Sequence, residues 1–287
     1  MIHKRRQQSL KHSLLCLGLL LASTAALAAD NAALLPSWQT LEFEEKAFWA
    51  VANSRLELLV DSEDDSNGIF VINSSVPGNS EQITINLDIK TGQLLTRERL
   101  SQGKKDRRFK SYDYRPDMVV RERREPMAQS SPQPDSWEVT SETKIRYPDM
   151  AAQRVITDPY LLVLLAGRLQ AQSSGASMEV MVNTDQNFYR VSLTRGNGIP
   201  VETNYQRADG TIVAQLVDTV GVVLRAEPAG TLLDQEDFSF MGLQGDIILL
   251  YDEQSDLPLQ IRGEAPRVGS TEINLKSVGL RSQNSGG

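Results

Sequence analysis

Nine basic residues crowd one stretch of the chain: Lys104, Lys105, Arg107, Arg108, Lys110, Arg115, Arg121, Arg123 and Arg124, with Tyr112 and Tyr114 among them. On an extended backbone, side chains two positions apart share a face, so Arg108 and Lys110 project together, as do Arg121 and Arg123. Such a patch can hold a phosphate, an anionic lipid headgroup or an acidic partner through charge-assisted hydrogen bonds. Asp106, Asp113, Asp117, Glu122 and Glu125 are interleaved with it. They can equally neutralise the run and leave a solvated face that protects sheet edges. A second charged stretch, Asp61 to Gly68, has part of a calcium loop's spacing. Counted from Glu63, Asp65, Asn67 and Gly68 fall in place, but Ser74 stands twelfth, where a bidentate Glu is needed. An acidic turn between strands is the better reading.

The absences narrow the chemistry further. His3, His12 and Cys16 are the histidines and the cysteine of the chain, and all lie within residues 1–28. That segment reads as an export signal. Lys4, Arg5, Arg6 and Lys11 make a positive start, Leu14 to Ala22 is apolar, and Ala26-Leu27-Ala28 offers small residues for cleavage. Leu15, directly before Cys16, is not the small residue that a lipidation site has there. The expected product is periplasmic, with the signal removed, and is not an integral membrane protein. Without imidazole or thiol, residues 29–287 cannot build a His-based triad, a Cys nucleophile, a disulfide framework or the usual zinc, copper and haem ligand sets. No cofactor is expected. Beyond the signal, 26 basic residues face 37 acidic ones, a net charge of −11. That charge disfavours nucleic acid as a partner. Carboxylate pairs remain as possible hydrolytic groups. No Asp-Thr-Gly or Asp-Ser-Gly stretch accompanies them, and Asp209-Gly210-Thr211 reads as a hairpin turn.

The elements that must position these groups are mostly strands. The clearest is Gln82 to Ile89, where Ile83, Ile85, Leu87 and Ile89 alternate with polar residues. Lys90-Thr91-Gly92-Gln93 turns it into Leu94 to Leu100. Arg107 to Tyr114 and Met118 to Arg124 are charged strands, Glu125 to Ser136 is an irregular loop, and Trp137 to Tyr147 is a further strand. The only convincing helix is Thr157 to Leu169. Thr157 and Asp158 suit its cap and Pro159 its first position, and Tyr160 to Ala166 is apolar on every side. It should be buried against the concave face of the sheet. Short strands follow: Met178 to Val182, Tyr189 to Leu193, Thr211 to Leu216 after the turn Ala208-Asp209-Gly210, Val220 to Leu224, Ile247 to Tyr251, Leu259 to Arg262 and Glu272 to Lys276. The expected architecture is mainly β: a curved antiparallel sheet or open barrel with one short buried helix. It forms a single domain over residues 29–281, followed by a disordered tail, 282–287.

The paired hairpins around Lys90-Thr91-Gly92, the apolar helix after Asp158-Pro159 and the strand ladder ending in G-x-x-x-I-x-L at Gly269 to Leu275 resemble uncharacterised exported bacterial proteins. The fold of those proteins is similar to the open β-barrel of the LolA/LolB lipoprotein carriers. The resemblance implies a curved sheet with a helix in its mouth and an apolar cavity. This chain lacks the cysteine anchor of the LolB type. The leading expectation is a non-enzymatic carrier of an apolar or amphipathic envelope molecule, such as a lipid or an acyl chain. Tyr160, Leu161, Leu164 and Leu165 would contact its apolar part, and Arg108, Lys110, Arg121 and Arg123 its charged end. A filled core around the same helix is the competing expectation. Two other functions stay open: an interaction or regulatory module that docks an envelope protein partner, and a His-free hydrolase that uses carboxylates.

Overall fold

Alternating residues that pair with sequence neighbours build meanders, and the described residues hold two of them with a helix and further strands between. The computed structural model describes residues 35–47, 50–60, 66–104, 106–127, 133–151, 154–234 and 237–281. The expected export signal 1–28, residues 61–65 of the expected acidic turn, residues 128–132 of the expected irregular loop and the expected tail 282–287 lie outside the described residues. The first meander contains β1 (Trp38–Ala47), β2 (Ala50–Val60), β3 (Asn67–Val76), β4 (Asn79–Asp88), β5 (Leu94–Gly103), β6 (Arg107–Tyr114), β7 (Met118–Glu125) and β8 (Glu138–Arg146). Each is antiparallel to the next. Next come β9 (Ile156–Thr157), the helix α1 (Leu162–Gln170), β10 (Ser177–Asn183) and β11 (Phe188–Asn197). The hairpin of β12 (Val201–Arg207) and β13 (Ile212–Val217) follows. The second meander is β14 (Thr219–Pro228), β15 (Gln244–Asp252), β16 (Pro258–Ala265) and β17 (Gly269–Leu280).

Two long-range pairings join these pieces into one large, curved, open sheet. β11 pairs with β14 past the β12–β13 hairpin, and β17 returns to pair with β1. The sheet therefore runs from β8 through β1 and β17 to β10 and β9. It is antiparallel except at two short contacts, β9 with β10 and the end of β12 with β17. The turns use the chemistry their residues offer. The Asp88 carboxylate accepts hydrogen bonds from the Lys90 and Thr91 backbone, and Gly92 takes the positive φ of 76° that closes the β4–β5 turn. Gly210, at φ 87°, does the same for the β12–β13 hairpin.

The helix starts later than the sequence suggests. Ile156 and Thr157 form a parallel strand against Met181 and Val182 of β10. Asp158 is the cap: its carboxylate accepts from the Tyr160 N–H at 2.8 Å. Pro159–Leu161 is a 3₁₀ turn, and α1 proper begins at Leu162. Thr157 is β-branched and its neighbour strand is at hand, so it pairs instead of capping. The helix packs against β11, β14 and β15, and the buried Tyr251 hydroxyl donates to the Val163 carbonyl at 2.6 Å. Leu161 to Ala166 are all buried within one cluster that also holds Leu41, Phe43 and Leu275 from either side of the β1–β17 seam.

Candidate functional site

The face of β5 and β6 that turns inward carries charge where an apolar side chain would be the default. In register across the two strands, Arg97 stands opposite Tyr112, Arg99 opposite Lys110 and Ser101 opposite Arg108. On β7, Arg121 lies opposite Tyr112 and Arg123 opposite Lys110. One wall thus carries Arg97, Arg99, Arg108, Lys110, Arg121 and Arg123 together. What each of them meets depends on its distance along the strand.

At one end the wall is locked. Arg97 donates to the Asp158 carboxylate at 2.7 Å and to the Asn183 carbonyl at 3.0 Å, and it also reaches the Thr184 carbonyl. Its guanidinium lies 3.7 Å from the centre of the Tyr112 ring. The Tyr114 hydroxyl donates to the Asn183 side chain at 2.9 Å. Beside this group, Arg121 grips Asp185 through two bonds, at 2.7 and 3.2 Å, and Lys110 and Tyr112 donate to the same carboxylate. Burial alone would push the Asp185 carboxyl up. The hydrogen bonds from Arg121, Lys110 and Tyr112 outweigh it and hold the group well below the usual carboxylate range. Burial also depresses Lys110 and pushes the Tyr112 phenol up to about 12.

This corrects the expected basic patch. Lys110 and Arg121 are interior groups paired with an acid from the β10–β11 turn and present no free face to an anion. Arg123 pairs with Glu125. The two halves of the sheet, not joined here by backbone bonds, are joined by these side chains.

At the other end the same wall is open. A cleft of about 510 Å³ lies over the ends of β2 to β6. Tyr160 lines it, together with Met241 and Gly242 from the turn before β15. Hydroxyls and amides of Ser54, Ser74, Ser101 and Asn79 form much of the wall. Arg99 pairs with Glu81 at 2.6 Å, and Ser101 donates to the same carboxylate at 2.9 Å. Arg108 pairs with Asp106 at 2.5 Å. Both arginine side chains are 38% exposed, against 6% for Arg97. Burial raises Glu45, another lining residue, and its hydrogen bond with Thr271 only partly offsets this.

Tyr160 is half-buried and hydrogen-bonded with Ser74, and its ring centre is 6.3 Å from that of Phe240. Burial pushes its phenol up to about 12. At neutral pH it is an uncharged ring with a hydroxyl to share. Met241 holds a φ of 51°, in a tight turn closed by two bonds between Phe240 and Leu243. A methionine in that region costs about 1–2 kcal/mol relative to its relaxed backbone, and such strain gathers where a side chain must be aimed.

Of the apolar contacts expected from the sequence, Tyr160 lines the cleft. Leu164 lines a separate hollow of about 220 Å³ beside Trp38, and Leu161 and Leu165 sit in the core. Arg108 is the one of the four expected basic residues that lines the cleft. Arg99, Glu81 and Met241 belong to it as well and escape a reading of motifs. A trace of them exists, since Glu81 and Arg99 are charges in the inward phase of strands β4 and β5.

Among the described residues no group of His, Cys, Asp or Glu is arranged to hold a metal ion. Among them, too, no helix is long and apolar enough to cross a membrane. No family model matches the chain, and no curated protein matches it. Among solved structures, the chain is similar to the crystal structure of a beta-barrel-like protein of the domain of unknown function DUF1849 from Brucella abortus. The two are 9% identical, with a TM-score of 0.47, over 86% of this chain and 98% of that one.

Proposed function

We propose that this chain is a non-enzymatic binding protein of the periplasm that carries an amphipathic envelope molecule. The observation that supports this is the cleft over β2 to β6. Its volume is in the range of small-molecule sites. A neutral ring and a methionine offer an apolar contact, and hydroxyls, amides and two acid–arginine pairs offer polar ones. Glu45, Glu81 and Asp106 set against Arg99 and Arg108 leave no positive excess. The cleft therefore suits a zwitterionic or hydroxylated head better than a simple anion. The paired carboxylates are held by arginines, which argues against their service as a general base.

Native mass spectrometry of the protein purified gently from the envelope is the first test, with a mass shift of one small amphipathic molecule expected. Titration with a fluorescent zwitterionic lysophospholipid is the second. Tyr160→Ala and Arg108→Ala should each weaken binding about tenfold, or ~1.4 kcal/mol. A protein that carries nothing and takes up no such probe would sink the proposal.

A further inference from the structure

Among the described residues β13 pairs with β12 alone. Its residues, Ile212 to Val217, include no charge and no proline. β8 also pairs with one neighbour, but it carries Glu138, Glu142, Lys144 and Arg146. Charges of that kind keep a bare edge from pairing with another chain, and β13 has none. Ile212 and Leu216 are 67% and 66% exposed, and Ala214 is exposed between them. Val213 and Val217 pack against the core. The strand therefore shows solvent an apolar column. Directly across on β12 stands a polar one, Gln206, Asn204 and Glu202.

The backbone directions agree with the side chains. The Arg207 N–H donates to the Thr211 carbonyl at 2.8 Å, and the Thr203 hydroxyl reaches the Gln215 carbonyl at 2.9 Å. Hydrogen-bonded and non-hydrogen-bonded pairs alternate along an antiparallel ladder. Val213, Gln215 and Val217 thus direct their backbone groups to β12. Ile212, Ala214 and Leu216 direct theirs to the free edge.

We infer that two copies of this chain associate through that edge, β13 pairing antiparallel with itself about a twofold axis at Ala214. In this register Ala214 faces the partner's Ala214, and Ile212 faces the partner's Leu216. Each of these pairs exchanges two backbone hydrogen bonds. The smallest side chain of the column sits on the axis, where the strands must close. The two apolar columns become neighbours, and the columns of Glu202, Asn204 and Gln206 become the polar rim. The match is the strand's own: a column read in reverse from Ala214 presents a large apolar residue at both distances. The strip is uncharged, so two acidic chains meet there without repulsion between facing residues. The contact is isologous and closes at the dimer.

Sedimentation velocity of the full chain over a range of micromolar concentrations tests this, with a reversible dimer expected. Ala214→Pro removes an N–H aimed at the free edge and no bond to β12. It should give a monomer with unchanged far-UV circular dichroism, and Leu216→Lys should do the same. Disulfide trapping reads the register in a Cys16→Ser background. Ala214→Cys should link to itself, since facing Cα atoms lie about 5.5 Å apart, within disulfide reach. Ile212→Cys alone should not link, whereas a mixture with Leu216→Cys should. A wild-type monomer throughout the range, a dimer that survives Ala214→Pro, or trapping that ignores this pattern would each overturn the inference.

Discussion

Arg97 and Arg99 stand two residues apart on one strand face, yet one is locked and the other lines an open cleft. The difference comes from what crosses over them. Above Arg97 come the cap residue Asp158 and the β10–β11 turn, which bring buried carboxylate and carbonyl oxygens. Above Arg99 comes no such turn, and it meets Glu81, its own neighbour in the sheet, while half-exposed. Like side chains become a structural clamp or a binding wall according to the loop opposite. A basic run in sequence therefore announces inward-facing charge without saying which use it has.

The contrast can be broken most severely at Asp185. Asp185→Asn leaves Lys110 and Arg121 inside without their counter-charge, and breaking a buried pair in this way costs about 3–5 kcal/mol. A large fall in the midpoint of urea unfolding is expected. Asp185 also dictates a pH dependence. Its folded carboxyl is held below the ordinary range, so the stability it contributes is complete above about pH 4 and is lost as pH falls further. Acid titration of the wild type should show this decline, and Asp185→Asn should lack that part of it. Tyr114→Phe is a smaller perturbation, about 1 kcal/mol, because the Asn183 oxygen it leaves keeps Arg97 at 3.4 Å. At the open end, Arg99→Ala should change stability by less than about 1 kcal/mol while weakening the lysophospholipid probe. If Arg99→Ala instead unfolds the protein as Asp185→Asn does, the two ends are not distinct.

Much of this fold could be read from alternation and turn chemistry. Arg107 to Tyr114 is a strand over that span, and the turns at Gly92 and Gly210 have the conformation that glycine allows. β12 escaped, because its inward residues are Val201, Thr203 and Tyr205, and two polar types blur the apolar period. The helix was legible but its first turn was not. Whether Thr157 caps or pairs depends on β10, which lies beyond any local window. The clamp was hidden for the same reason. Asp185 reads as an ordinary turn residue, and its partners Arg121 and Lys110 are 64 and 75 residues away. Of the cleft, Tyr160 and Arg108 were visible as residue types, while the turn that carries Met241 has no periodic signal.

The seam between β1 and β17 sets an order of events. Trp38 pairs with Leu280, so the first strand's edge stays bare until the last strand exists. A growing chain holds its opening strand without that mate, and the sheet cannot be completed early. Contacts so remote in sequence make for slow folding. Such a chain remains pliable for a long interval after synthesis, with its opening strand open to other pairings before it sets.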